Sequence, residues 1–162
     1  MRRDTAGFTL IEMMVVVVLI GVLASIVQIT VGDNAGRHAR QETDLLLRLM
    51  LGTRERAVLD VQEYGVRLEP DAYQLMRLEG DRWQPVETRV QLPEGLELKL
   101  ALEGRDQPLT GFAGTPQLLW LSSDETTAFS LHFDSPEQRW SSIESDGLAD
   151  PFIVVPEAFH ES

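Results

Sequence analysis

One apolar stretch, Gly7 to Val31 (GFTLIEMMVVVVLIGVLASIVQITV), constrains this chain more than any other feature, because few conformations can accommodate it. Phe8 to Val31 is 24 residues. Wound as an α-helix at about 1.5 Å per residue it reaches about 36 Å, enough to cross a hydrocarbon layer of roughly 30 Å. In water the β-branched run Val15 to Val18 makes a mediocre helix. In lipid every backbone N–H and C=O must find its partner inside the segment, and for a single segment only a helix achieves that. Arg2 and Arg3 precede the stretch, and it contains one carboxylate, Glu12.

That carboxylate is the anomaly. A charged side chain deep in a bilayer costs roughly 2.5 to 3.5 kcal/mol, so an acid here needs a cationic partner, a proton, or a place near the headgroups. Glu12 lies near the N-terminal end of the segment, where the cost falls and the helix dipole favours an anion. On these residues alone, an interfacial glutamate opening a plain signal anchor is as good a reading as a functional acid. A cleavable secretory signal fits less well, since the apolar core is too long and Ala24-Ser25-Ile26 is a poor cleavage site.

Gly7-Phe8-Thr9-Leu10-Ile11-Glu12, with its short polar leader and the apolar run behind it, resembles the prepilin signal of type IV pilins and type II secretion pseudopilins. The resemblance implies that a membrane-embedded prepilin peptidase cuts between Gly7 and Phe8 on the cytoplasmic side and methylates the new amine of Phe8. It implies too that Glu12, fifth in the mature chain, is the assembly carboxylate. Simple electrostatics is compatible with both. Cleavage removes Arg2 and Arg3 and leaves a cationic amine that needs an anion in apolar surroundings. Phe8 and Glu12, four apart, are neighbours on one helix face, and pairing of Glu12 with the amine of an adjacent subunit sets the axial register of a fibre.

Composition narrows the remainder. Among 162 residues there is no cysteine, which excludes disulfides, thiolate metal sites and thiol catalysis. The formal charge is −12, and loss of Arg2, Arg3 and Asp4 makes the mature chain one unit more negative. Such a chain is unsuited to nucleic acid, whose binders neutralise phosphates, and it is repelled by anionic headgroups. Arg37 and Arg40 after the span offset Arg2 and Arg3 before it, so orientation rests on the leader resemblance.

Beyond Val31, Gly32-Asp33-Asn34-Ala35-Gly36 is polar and flexible, and the helix is expected to be interrupted or kinked there. Apolar residues then recur at helical spacing from Arg37 to Val61, at Ala39, Thr43, Leu46, Met50, Ala57 and Val61. Leu45, Leu47, Leu49 and Leu51 widen that stripe, which suits a core-facing helix or one that also packs on neighbouring subunits. From Glu63 the pattern changes to short alternating runs: 64–68, 72–78, 82–88, 117–121, 128–133, 139–143 and 151–155, with Leu96, Leu98, Leu100 and Leu102 the clearest half-buried strand. Glu79-Gly80-Asp81 is a hairpin turn, Gly104 a break, and 105–116 a loop. The fold class is α+β: a long N-terminal α-helix, its first half transmembrane, packed on a C-terminal domain of two small antiparallel β-sheets. The expected divisions are a leader at 1–7, an assembly and transmembrane helix at 8–31, the periplasmic half of the helix at 32–62, and a globular β domain at 63–162.

A helix ending near Ala57, a strand at Tyr64 to Leu68, and Tyr73 with Trp83-Gln84-Pro85 in the next hairpin are similar to the H-type minor pseudopilins, the GspH/FimT group. That resemblance implies a pilin-like, non-enzymatic subunit in the bacterial inner membrane, single-pass, with its C-terminal domain in the periplasm, and in the pseudopilus after assembly. Its implied partners are other minor and major pseudopilins, the prepilin peptidase and the inner-membrane assembly platform, with secreted substrate a further candidate. A minor pilin of a type IV pilus and a permanently anchored periplasmic binding domain are the alternatives. The lack of the C-terminal disulfide loop of many pilins favours secretion over the pilus.

Convergent chemistry is not evident. His38, His132 and His160 are dispersed, without the spacing that puts two ligands on one face. No G-x-S-x-G elbow occurs, and Ser122-Ser123-Asp124 has the character of a turn. Asp124-Glu125, Asp134 and Asp146 to Asp150 raise a calcium question, since major pseudopilins, similar in fold, carry such a site, yet no stretch has EF-hand spacing. Trp83, Trp120 and Trp140 are expected in the core and in strand pairs. No catalytic residue, cofactor or metal ligand is assigned. Gly21 with Ala24-Ser25 permits close helix contacts, and an equally good reading leaves it facing lipid.

Overall fold

A computed structural model of the chain describes residues 10–109 and 114–156, and for residues 23–34 it describes the backbone alone. The chain divides into two compact units, one ending at Asn34 and the other beginning at Ala35. Helix α1 runs Leu10–Asp60, 51 residues, through both. The expected interruption at Gly32 to Gly36 is therefore absent. Gly36 is a contact instead: it is buried, and a Cβ built on it would lie 2.8 Å from Cζ3 of Trp140. Only a residue without a side chain lets the indole rest on the helix backbone there.

From Gly36 onward the buried positions are Gly36, Ala39, Thr43, Leu46, Met50, Thr53 and Ala57, alternating steps of three and four that keep one face inward. The two threonines are tolerated because their hydroxyls donate to Ala39 O and Leu49 O, each at 2.7 Å. Thr43 Oγ1 also lies 2.6 Å from Ser141 Oγ, tying the helix to a strand. Leu47 and Leu49 pack against this core, whereas Leu45 and Leu51 are exposed. Val61, expected as the last member of the stripe, is exposed as well. It lies past the helix at φ +51°, and the Gln62 N–H returns to Ala57 O at 3.1 Å, a left-handed helix ending.

Ten strands follow among the described residues, two more than the alternation suggests. The first sheet has the order β3-β2-β1-β7, with β4 also on β2; the ranges are β1 Tyr64–Glu69, β2 Ala72–Glu79, β3 Arg82–Pro85, β4 Val90–Gln91 and β7 Leu118–Trp120. The single strand expected at 82–88 is thus two, since pairing with β2 ends at Pro85 and resumes at Val90↔Tyr73. Gly80, at φ +64°, makes the expected turn, with Glu79 opposite Arg82.

The second sheet has the order β10-β9-β8-β5-β6, from β5 Glu97–Leu102, β6 Arg105–Gln107, β8 Phe129–Asp134, β9 Arg139–Ser145 and β10 Phe152–Val154. Here the expected loop at 105–116 begins as a strand. Leu102 pairs with Arg105, and Glu103 and Gly104 between them both have positive φ, the signature of a two-residue hairpin turn. Gly104 turns the chain and does not end its pairing. All pairings in both sheets are antiparallel.

One apolar cluster joins the three layers. Leu46 and Met50 of α1 belong to it with Val66, Leu68, Leu75, Leu118 and Trp120 of the first sheet, and Leu98, Leu100, Leu131, Phe133 and Ile143 of the second. Full burial of such side chains contributes about 1.5 to 3 kcal/mol each, enough to order a domain of this size without crosslinks.

Candidate functional site

The first unit presents an unusual surface. From Leu10 to Val22 every large apolar side chain of α1 is between 42% and 83% exposed, on all sides of the helix. A helix apolar all round is stable only with apolar surroundings, a membrane or other helices. The acid of this exposed run is Glu12, in the first turn of the helix and itself exposed. Around Gly21 a Cβ would meet nothing within 4 Å among the described residues. Gly7 and Phe8, the expected processing residues, lie outside the described residues. Among the described residues no helix is long and apolar enough to cross a membrane. The expected span, Phe8 to Val31, extends at both ends beyond the side chains described.

In the second unit the acidic loops do converge, but on a guanidinium. Arg54 of α1 donates from Nε and Nη2 to Asp124 at 2.9 and 3.2 Å, from Nη1 to Asp150 at 2.9 Å, and from Nη2 to Leu148 O at 2.8 Å. The hydrogen bond to Arg54 is the main reason the Asp124 carboxyl is held below the usual carboxylate range. Asp146 accepts from the Leu148 and Ala149 N–H groups, both at 2.9 Å, which lowers its pKa also. Asp134 is elsewhere, between Arg139 Nε and Lys99 Nζ, each at 3.0 Å. Among the described residues no three His, Cys, Asp or Glu side chains form a metal-holding group.

Several of the remaining candidates make structural contacts. His132 Nδ1 lies 2.8 Å from Ser142 Oγ, and burial, with Arg139 nearby, lowers its pKa. His38 is exposed, and His160 lies outside the described residues. Ser122 gives both its N–H and its hydroxyl to the Glu63 carboxylate, at 3.0 and 2.7 Å. Trp120 is buried, and Trp83 and Trp140 are half-buried. Sequence reasoning missed Arg54 and the pair Glu42 and Tyr73. Burial raises the Glu42 pKa and leaves its Oε2 without a partner among the described residues, while burial and Glu42 push the Tyr73 hydroxyl up to about 12.

Residues 2–27 match a family described as the prokaryotic N-terminal methylation motif. The type II secretion system protein H of Pseudomonas aeruginosa is 40% identical over 168 residues, with 94% of this chain and 98% of that protein covered. The chain belongs to the type II secretion system protein H family. The protein H of Pectobacterium carotovorum is 29% identical, with 91% of this chain and 94% of that protein covered. Among solved structures, the minor pseudopilin EpsH of the Vibrio cholerae type 2 secretion system superposes with a TM-score of 0.65 at 26% identity, covering 75% of this chain and 98% of EpsH. The α+β arrangement read from sequence, a long helix packed on two antiparallel sheets, is thus the fold of protein H, and the chain is a minor pseudopilin of type II secretion.

Proposed function

We propose that this protein H is made as a precursor, cut between Gly7 and Phe8 by a prepilin peptidase, methylated on Phe8, and built into the pseudopilus through Glu12. Before assembly the segment 8–31 anchors it in the bacterial inner membrane, with residues 32–62 and the β domain at 63–162 in the periplasm. It works as a non-enzymatic subunit: its partners are other minor and major pseudopilins and the inner-membrane platform that extracts it.

The observation that carries this reading is the helix surface from Leu10 to Val22, apolar and exposed all round, with Glu12 in its first turn. Leaving lipid for a bundle of like helices keeps the apolar surface covered. A carboxylate costing roughly 2.5 to 3.5 kcal/mol in lipid gains a cation when it meets the methylated amine of an adjacent subunit. Burial strengthens that pairing, and the four-residue offset makes it register-specific.

Two measurements test it. Mass spectrometry of the protein from cells that possess the peptidase should find an N-terminal methyl-phenylalanine at position 8; an intact Met1 overturns the reading. Glu12→Ala should be inserted and processed yet absent from sheared fibres, and normal incorporation of that variant removes the role of Glu12.

A further inference from the structure

The second half of α1 carries an apolar strip that the core does not use. Leu51 and Val58, seven apart and so on one face, are exposed above a hollow of about 410 Å³ whose other walls are Arg54, Glu55, Asp124 and Asp150. Leu148 stands beside it, 81% exposed. Its backbone is pinned on both sides, N–H to Asp146 and C=O to Arg54, so this leucine is presented to solvent by a fixed loop. A second hollow of about 430 Å³ adjoins Leu148, bordered by Glu125 and Asp146. An apolar anchor already held in place loses little entropy when covered, which is what a docking surface needs.

Charge selects the occupant. Glu55, Asp124, Glu125, Asp146 and Asp150 are all exposed on the walls of the two hollows, against Arg54, which Asp124 and Asp150 already share, and Arg48, exposed one turn before Leu51. A second copy would bring the same acids to an interface between chains of formal charge −12, and anionic lipid is disfavoured in the same way.

We propose that the hollow between α1 and the segment 148–150 is where a different subunit docks, through an apolar side chain flanked by lysine or arginine. This rests on the reading of the chain as a fibre subunit, and the two fail separately. Loss of that reading shows at Phe8 and Glu12, and loss of this one shows only at Leu148 and Val58.

The test uses full-length protein in cells that assemble the fibre, with a photo-crosslinking residue at position 148 or 58 and, as a control, at Glu97 on the second sheet. Positions 148 and 58 should give one heterologous product, absent from the control, whose cross-linked peptide carries lysine or arginine beside an apolar residue. Glu55→Lys with Glu125→Lys, neither side chain being a partner of Arg54, should lower that product on the order of tenfold without changing the melting temperature. Three results overturn the proposal: no product from a processed, assembled chain, a product with a second copy, or a heterologous product that survives the charge reversal.

Discussion

The two halves of α1 share one backbone and differ in nearly everything else. Between Gly36 and Ala57 only every third or fourth residue is buried, and the positions between carry Arg, Gln, Glu and Asp together with Leu45, Leu47, Leu49 and Leu51. Between Leu10 and Val22 the apolar character goes all the way round, and every large apolar side chain is exposed. A helix with one inward face can be ordered by its own chain. A helix with no polar face is a half-finished structure, and its completion has to come from lipid or from other helices. The second unit begins at Ala35, and at Gly36 the helix backbone already lies against the indole of Trp140.

Truncations at matched positions are the most forceful way to break this comparison. Leu46→Ala should destabilise the protein by about 2 to 5 kcal/mol in denaturant unfolding, because it opens a cavity among α1 and both sheets. Val17→Ala should change the unfolding free energy by less than about 0.5 kcal/mol, since Val17 is 67% exposed. Equal effects would show that the halves are not distinct.

Glycines sharpen it. Gly36→Ala gains helix propensity but sets a methyl group 2.8 Å from Trp140, and the expected net result is a loss of about 1 to 3 kcal/mol with altered tryptophan fluorescence. Gly52→Ala, on the same helix with nothing within 4 Å, should stabilise by about 0.5 to 1 kcal/mol.

Acid separates the second unit from the first. Burial pushes the Asp134 carboxyl up, but hydrogen bonds from Arg139 and Lys99 outweigh it and hold its pKa below the usual value. A carboxylate depressed on folding stabilises fully above about pH 4, and that contribution disappears as pH falls through the folded value. Asp134→Asn should therefore flatten the acid limb of the stability curve below about pH 4 and leave incorporation into the fibre at neutral pH unchanged. A modest effect is expected from Arg54→Lys, which keeps the charge but cannot fork between Asp124 and Asp150; its melting temperature should fall by less than that of Gly36→Ala.

Legibility in the sequence followed the range of the interaction. Leu96 to Leu102 announced a strand because alternation is local, and the helical stripe was readable from Ala39 to Ala57 for the same reason. Gly36 looked like a breaker, and nothing nearby in the chain could reveal that Trp140, 104 positions later, needs the space. The Glu103-Gly104 turn escaped because glutamate at positive φ has no sequence signal, and β4 because two residues make no pattern. Glu12 stood out as the one charge in an apolar run, whereas Arg54 was one arginine among several until the loops around 124 and 148–150 were seen to meet on it.

Arg54 has a consequence for how the protein reaches its working form. The cation that ties these two loops to α1 is encoded in the polypeptide, present in a ratio of one to one from the moment of synthesis, and keeps its charge at any pH a cell encounters. This knot therefore involves no loading step, and apart from the ordinary screening that salt imposes on exposed carboxylates it needs no particular ion from outside.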